Sequence, residues 1–235
     1  MQRGKILKNY NNTVFFTKSD WNLLNQKRKA SLRLLNLFEN EGIKAFVFGS
    51  IARGDVHQDS DIDIIIPQLI PSYQIEYILR KNNFSNYYRE IIMATPNDSI
   101  KLYIYISELE SITLPLSRFD KKSMEFYNFG GKLDINEINS NIRTPGIDKR
   151  LVFIKPTPKG YEEYSVLGNE YLVAKAINIS IQTILDRKKV LLRREKYGKT
   201  GVFLKYQLNI NESTEDVLKK LADKKSIIRK KLYQR

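Results

Sequence analysis

Two aspartates flank a single isoleucine in Asp61-Ile62-Asp63, and the run continues as Ile64-Ile65-Ile66 before Pro67. Carboxylate and isoleucine alternate with a period of two, which predicts a strand that buries its isoleucines and stops at the proline. On a strand, residues i and i+2 share one face about 6.6 Å apart, so both carboxylates stand side by side. At an effective dielectric of about 20, two like charges so spaced repel by roughly 2–3 kcal/mol. A chain keeps that arrangement when something cationic compensates it, and a divalent metal ion is the natural candidate.

Upstream, Lys44-Ala45-Phe46-Val47-Phe48 reads as a second strand, stopped by Gly49, with Ser50 placed to cap a short helix. Glycine lets a phosphate approach the backbone, and the free N–H groups at a helix start attract anions. A phosphate cradle and a carboxylate pair are thus expected on neighbouring strands. Mg²⁺ suits such a site because it prefers one or two carboxylates plus substrate oxygens.

Gly49-Ser50, ten intervening residues and Asp61-Ile62-Asp63 together resemble the signature of the DNA polymerase β-like nucleotidyltransferase superfamily. The run Phe48-Gly49-Ser50-Ile51-Ala52-Arg53-Gly54 with Asp59-Ser60-Asp61-Ile62-Asp63 resembles its minimal members most. The resemblance implies an α+β fold with a mixed sheet and flanking helices, and a transferase that moves a nucleoside monophosphate from an NTP to an acceptor hydroxyl. It implies two Mg²⁺ ions held by Asp61 and Asp63, phosphates cradled by Gly49 and Ser50, and in-line attack on the α-phosphorus. Arg53 falls one turn into the short helix, where it can pair with a phosphate or with Asp55. Superfamily members usually add a third carboxylate on a later strand. Tyr87–Met93 reads as such a strand and nominates Glu90, whereas Ile100–Ile106 contains no acid and leaves Asp98, in the turn before it, as the alternative.

Other chemistries are excluded by composition. With no cysteine and one histidine, His57, the chain has no disulfide, thiolate ligand or histidine metal cluster. No apolar run reaches a membrane-spanning length, and the expectation is a soluble, cytoplasmic protein without membrane partners.

The formal net charge of +14 is unevenly spread. Residues 1–150 carry 21 Lys and Arg against 17 Asp and Glu, whereas residues 151–235 carry 19 against 9. The excess suggests a polyanionic partner for the C-terminal third. There, Asn169–Ile177 reads as a short helix, Ser180 caps a second helix to about Glu195, and Val202–Tyr206 reads as a strand. This order resembles a winged helix-turn-helix with a basic wing. Gln182 and Thr183 would face base edges, and Arg187, Lys188, Arg193, Arg194 and Lys199 would meet phosphates.

The expected organisation is a nucleotidyltransferase domain over residues 1–144, a winged-helix-like nucleic-acid-binding domain over 145–210, and a basic helix or tail over 211–235. Ser19-Asp20 is expected to cap a helix over about 21–40, and residues 107–128 look partly helical. The second reading is a winged-helix DNA-binding regulator whose nucleotidyltransferase-like domain senses nucleotide or only scaffolds.

Overall fold

A computed structural model describes residues 5–84, 87–198 and 201–233. The chain starts with strand β1 (Asn11–Phe15) and helix α1 (Lys18–Glu39), then β2 (Phe46–Phe48), the one-turn helix α2 (Ser50–Arg53) and β3 (Ile62–Ile65). Helix α3 (Ser72–Lys81) leads into β4 (Tyr88–Met93), β5 (Lys101–Tyr105) and β6 (Glu110–Pro115). After these come α4 (Lys121–Gly130), β7 (Lys132–Leu133), α5 (Ile135–Asn139), β8 (Gly146–Ile147) and the hairpin β9 (Val152–Thr157) and β10 (Gly160–Ser165). The C-terminal third holds α6 (Glu170–Ala176), α7 (Ile181–Tyr197), β11 (Leu204–Leu208), α8 (Thr214–Lys224) and α9 (Ser226–Tyr233).

Among the described residues the strands form two sheets in an α+β arrangement. The larger runs β11-β4-β5-β6-β3-β2-β7 and is mixed, because β3 and β6 pair in parallel while their neighbours are antiparallel. The smaller runs β1-β10-β9-β8 and is antiparallel throughout. Ile62, Ile64, Ile91, Leu102, Ile104, Ile112 and Leu114 from the large sheet join Leu34, Leu35 and Phe38 of α1 in one apolar core. A second core under the small sheet gathers Phe129, Leu151, Phe153, Val166, Val173, Ile184 and Leu191.

Helix α1 is capped by Thr17, not Ser19. The Thr17 hydroxyl accepts from the Asp20 amide, and the Asp20 carboxylate accepts in return from the Thr17 amide, a reciprocal box that satisfies two orphan donors. Residues 107–128 are also rearranged relative to expectation. Glu110–Pro115 is a buried strand, and helix begins only at Lys121, where Asp120 caps it. Pro115 ends β6, where its missing N–H costs no ladder bond.

Strand pairing crosses the expected boundary at residues 144 and 145 twice. Strand β1 pairs with β10, so the first strand completes a sheet otherwise built from residues 146–165. Strand β11 pairs with β4 from Leu204–Met93 to Leu208–Arg89, so it is the edge of the large sheet and not a wing beside α7. The helix pair itself is present: Ala174 and Ile179 are buried between α6 and α7, and Asn178 takes the left-handed conformation at the turn. The last segment is no frayed tail, since Val217, Ala222 and Ile228 of α8 and α9 lie in the main core. Among the described residues no helix is long and apolar enough to cross a membrane.

Candidate active site

Strand β2 delivers its chain end to the site, and β3 with the residue just before it delivers the carboxylates. The two pair antiparallel with Phe48 opposite Asp63, which sets the Gly49-Ser50 turn next to the aspartate strand. Gly49 has φ +89°, a conformation costly for any side chain, and a Cβ built there meets nothing within 4 Å. The open space over this turn is where a phosphate can approach the backbone. Its amide is held by the Gly131 carbonyl at 2.9 Å, which fixes the turn, while α2 starts at Ser50 and closes with the Gly54 amide on the Ser50 carbonyl.

Asp61 and Asp63 are half-buried and flank the buried Ile62, so both side chains lie on the face opposite the isoleucine core. Across the parallel junction Asp63 stands opposite Ser111, whose hydroxyl donates to Asp63 Oδ1 at 2.6 Å. Burial pushes the Asp63 carboxyl above its usual range. The Ser111 hydrogen bond opposes that shift, the charge of Asp61 adds to it, and the ammonium of Lys149 pulls the other way. Lys149 is exposed on the turn between β8 and β9 and was not singled out by sequence reasoning. Two facing carboxylates, one of them raised by desolvation, fit a single divalent cation with substrate phosphate oxygens completing its shell.

The same face of the sheet continues away from the aspartates. Register carries it from Asp63 to Ser111 to Tyr105 to Tyr88, and in the next row from Thr113 to Tyr103 to Glu90. Tyr88 and Tyr105 stack with ring centroids 4.4 Å apart. Burial next to Asp63 raises the Tyr103 hydroxyl to about 12. Helix α4 lies over part of this face, its Tyr127 meeting Phe48 edge-on at 4.9 Å and the Lys101 ammonium at 5.2 Å from its ring.

Several expected residues are placed elsewhere. Glu90 shares the face but sits three strands from Asp63, roughly 14 Å at ordinary strand spacing. It is buried, takes an ion pair from Lys205 at 2.9 Å and accepts from the Tyr105 hydroxyl, so it is no third ligand. Arg53 is buried and does not reach the open face: it grips Asp55 with two hydrogen bonds of 2.9 Å and donates to the Gly130 carbonyl at 2.6 Å. Burial pushes the Asp55 carboxyl up even so, with Arg53 acting against the shift.

In the C-terminal third, Thr183 is buried and donates to Glu125, which leaves it unavailable to base edges. Arg187 lies over the rings of Phe126 and Phe129 at 4.7 and 5.7 Å, and burial lowers it to about 10. Lys188 is paired with Glu170, and Gln182 donates to Asp186. Arg193 and Arg194 are exposed on the last turns of α7, and Lys199 lies outside the described residues. The sequence signal for Thr183 and Arg187 was charge and helical position, and neither reports which face of α7 meets α4.

None of the curated proteins and none of the solved structures compared matches the chain. Residues 27–114, from within α1 to within β6, match the model of the nucleotidyltransferase domain family and so include Gly49, Ser50, Asp61, Asp63 and Ser111. That match supports placing this stretch of the chain in the nucleotidyltransferase superfamily.

Proposed function

We propose that the protein transfers a nucleoside monophosphate from an NTP to an acceptor hydroxyl, breaking the α–β phosphoanhydride bond and releasing pyrophosphate, with Mg²⁺ held at Asp61 and Asp63. The observation that carries this reading is the pairing of β2 with β3, which sets an open Gly49-Ser50 turn beside two carboxylates on one face. The family match supports nucleotidyl transfer in general terms.

In this reading Gly49 and Ser50 receive the terminal phosphates, with the first-turn amides of α2 as donors. Asp61 and Asp63 supply the carboxylate oxygens that orient the triphosphate. When bound, the cation neutralises phosphate charge and favours attack at the α-phosphorus. The exposed Lys149 adds a positive charge that acts on Asp63. The acceptor lies along the sheet face beyond Ser111, and an RNA or another nucleic acid suits the exposed Arg193 and Arg194 and the basic C-terminal third.

A second reading, a nucleotide-sensing domain attached to a DNA-binding regulator, is favoured by one observation: Ser111, a neutral residue, stands opposite Asp63. Incubation with each of the four α-³²P-labelled NTPs, Mg²⁺ and total cellular RNA separates the two. The transferase reading expects label on RNA from the wild type and none from Asp61→Asn/Asp63→Asn. Tight DNA binding with no transfer to RNA, DNA or protein would support the regulator.

A further inference from the structure

The transferase reading borrows a two-ion site from its superfamily, and the strand register of this chain supplies carboxylates for only one. Two ions a few ångströms apart need acidic ligands beyond a single pair, to offset the repulsion between the ions. A third carboxylate sharing ions with Asp61 and Asp63 has to project from the same face of an adjacent strand, because the next strand but one is already about 9–10 Å away.

Among the described residues two strands are adjacent to β3, namely β2 and β6. On β2 the residue opposite Asp63 is Phe48, and on β6 it is Ser111, followed on that face by Thr113. Ser111 is neutral, and its proton points at Asp63 Oδ1. It therefore presents a donor where a second ion needs negative charge.

Glu110, Asp55, Asp148 and Glu90 are otherwise engaged. Glu110 lies one residue from Ser111, so its side chain takes the opposite face, where it pairs with Arg33 at 2.7 Å. Asp55 is buried on Arg53. Asp148 accepts from the Arg150 and Val152 amides and from the Arg150 guanidinium. Glu90 is three strands off with Lys205. Among the described residues no set of three acids or histidines comes together to hold a metal.

We propose that this protein holds one divalent cation, carried with the nucleotide at Asp61 and Asp63, and that Ser111 occupies the position where a carboxylate would recruit a second. This rests on the reading of Asp61 and Asp63 as a metal–nucleotide site. The donor set leaves the acceptor hydroxyl without a protein-held ion of its own, so Ser111 becomes the residue that sets ion stoichiometry.

The test counts ions rather than turnover. The full chain is dialysed to equilibrium against Mn²⁺ with a saturating α,β-methylene NTP, and bound Mn²⁺ is measured by electron paramagnetic resonance. One ion per chain is expected for the wild type and for Ser111→Asn, and two for Ser111→Asp. Two ions on the wild type would overturn the proposal, as would a count for Ser111→Asp that stays at one while its circular dichroism is native. The wild-type count stands alone if that variant does not fold. No nucleotide-dependent Mn²⁺ binding, or binding unchanged in Asp61→Asn/Asp63→Asn, would overturn the underlying reading instead.

Discussion

Arg53 and Asp55 meet as a buried, two-pronged ion pair, with Nε and Nη2 of the guanidinium each 2.9 Å from a different carboxylate oxygen. The remaining prong donates to the Gly130 carbonyl, so the pair ties the turn after α2 to the end of α4. Removing one partner strands a charge away from water. Arg53→Met and Asp55→Leu are each expected to cost about 3–5 kcal/mol, and the double variant far less than their sum. Urea unfolding of the three variants checks this, and single-variant losses below about 1 kcal/mol would return Arg53 to the candidates for phosphate binding.

Gly160 passes against β1 so closely that a Cβ there would lie 1.9 Å from the Val14 carbonyl oxygen. Backbone cannot yield as a flexible side chain does. Gly160→Ala is expected to cost about 3 kcal/mol or more and to loosen β1 from β10. Amide exchange along Asn11–Phe15 reads the outcome, and protection equal to wild type would contradict the pairing.

Lys101 lies over the rings of Phe119, Phe126 and Tyr127, and burial lowers it from 10.5 to about 8. Below pH 8 the folded and unfolded states both carry the proton, and the folded state bears the desolvation cost. Between about 8 and 10.5 the unfolded state holds more protons, so this group's contribution to stability rises with pH. Lys101→Met is expected to exceed the wild type by about 1–2 kcal/mol at pH 7, after the loss of the cation–π contacts, and to lose that lead by pH 10. Chemical unfolding at the two pH values measures it. A difference that does not vary with pH would show that Lys101 titrates as an ordinary lysine.

On α7 the basic residues divide by face. Arg193→Ala/Arg194→Ala is expected to leave stability within about 0.5 kcal/mol and to flatten the salt dependence of RNA binding by about 1.5–2 in log–log slope. Arg187→Ala and Thr183→Val should instead each cost about 1–3 kcal/mol, because they remove a guanidinium stacked on Phe126 and a hydroxyl bound to Glu125. Filter binding at several salt concentrations and thermal melts separate the two classes. RNA affinity that falls equally for both pairs at unchanged stability would refute the division.

The strands nearest the site were legible because their signals are local. Alternation in Asp61–Ile64 marks a strand with one polar face, and Gly49 ends β2 where the backbone needs a positive φ. Ser180 was read as a cap and is one, accepting from the Thr183 amide. Thr17 was missed in favour of Ser19, although the Thr17-x-x-Asp20 spacing carries the reciprocal cap. Glu110–Pro115 was missed although Ser111-Ile112-Thr113-Leu114 alternates polar and apolar residues at strand spacing, because the run is short and ends at a proline.

The sequence by itself determined the pair Asp61 and Asp63, the open turn at Gly49, the helix pair around Asn178 and the absence of cysteine chemistry. Each follows from side-chain period, backbone conformation or composition, which act within a few residues. Only the tertiary structure decided which strands lie side by side. It placed Ser111 rather than Glu90 next to Asp63, took β11 from a wing to the edge of the large sheet, and gave β1 to a sheet made from residues 146–165. Register between distant segments is set by which apolar faces bury one another, a property of the packed whole that no local stretch of chain carries.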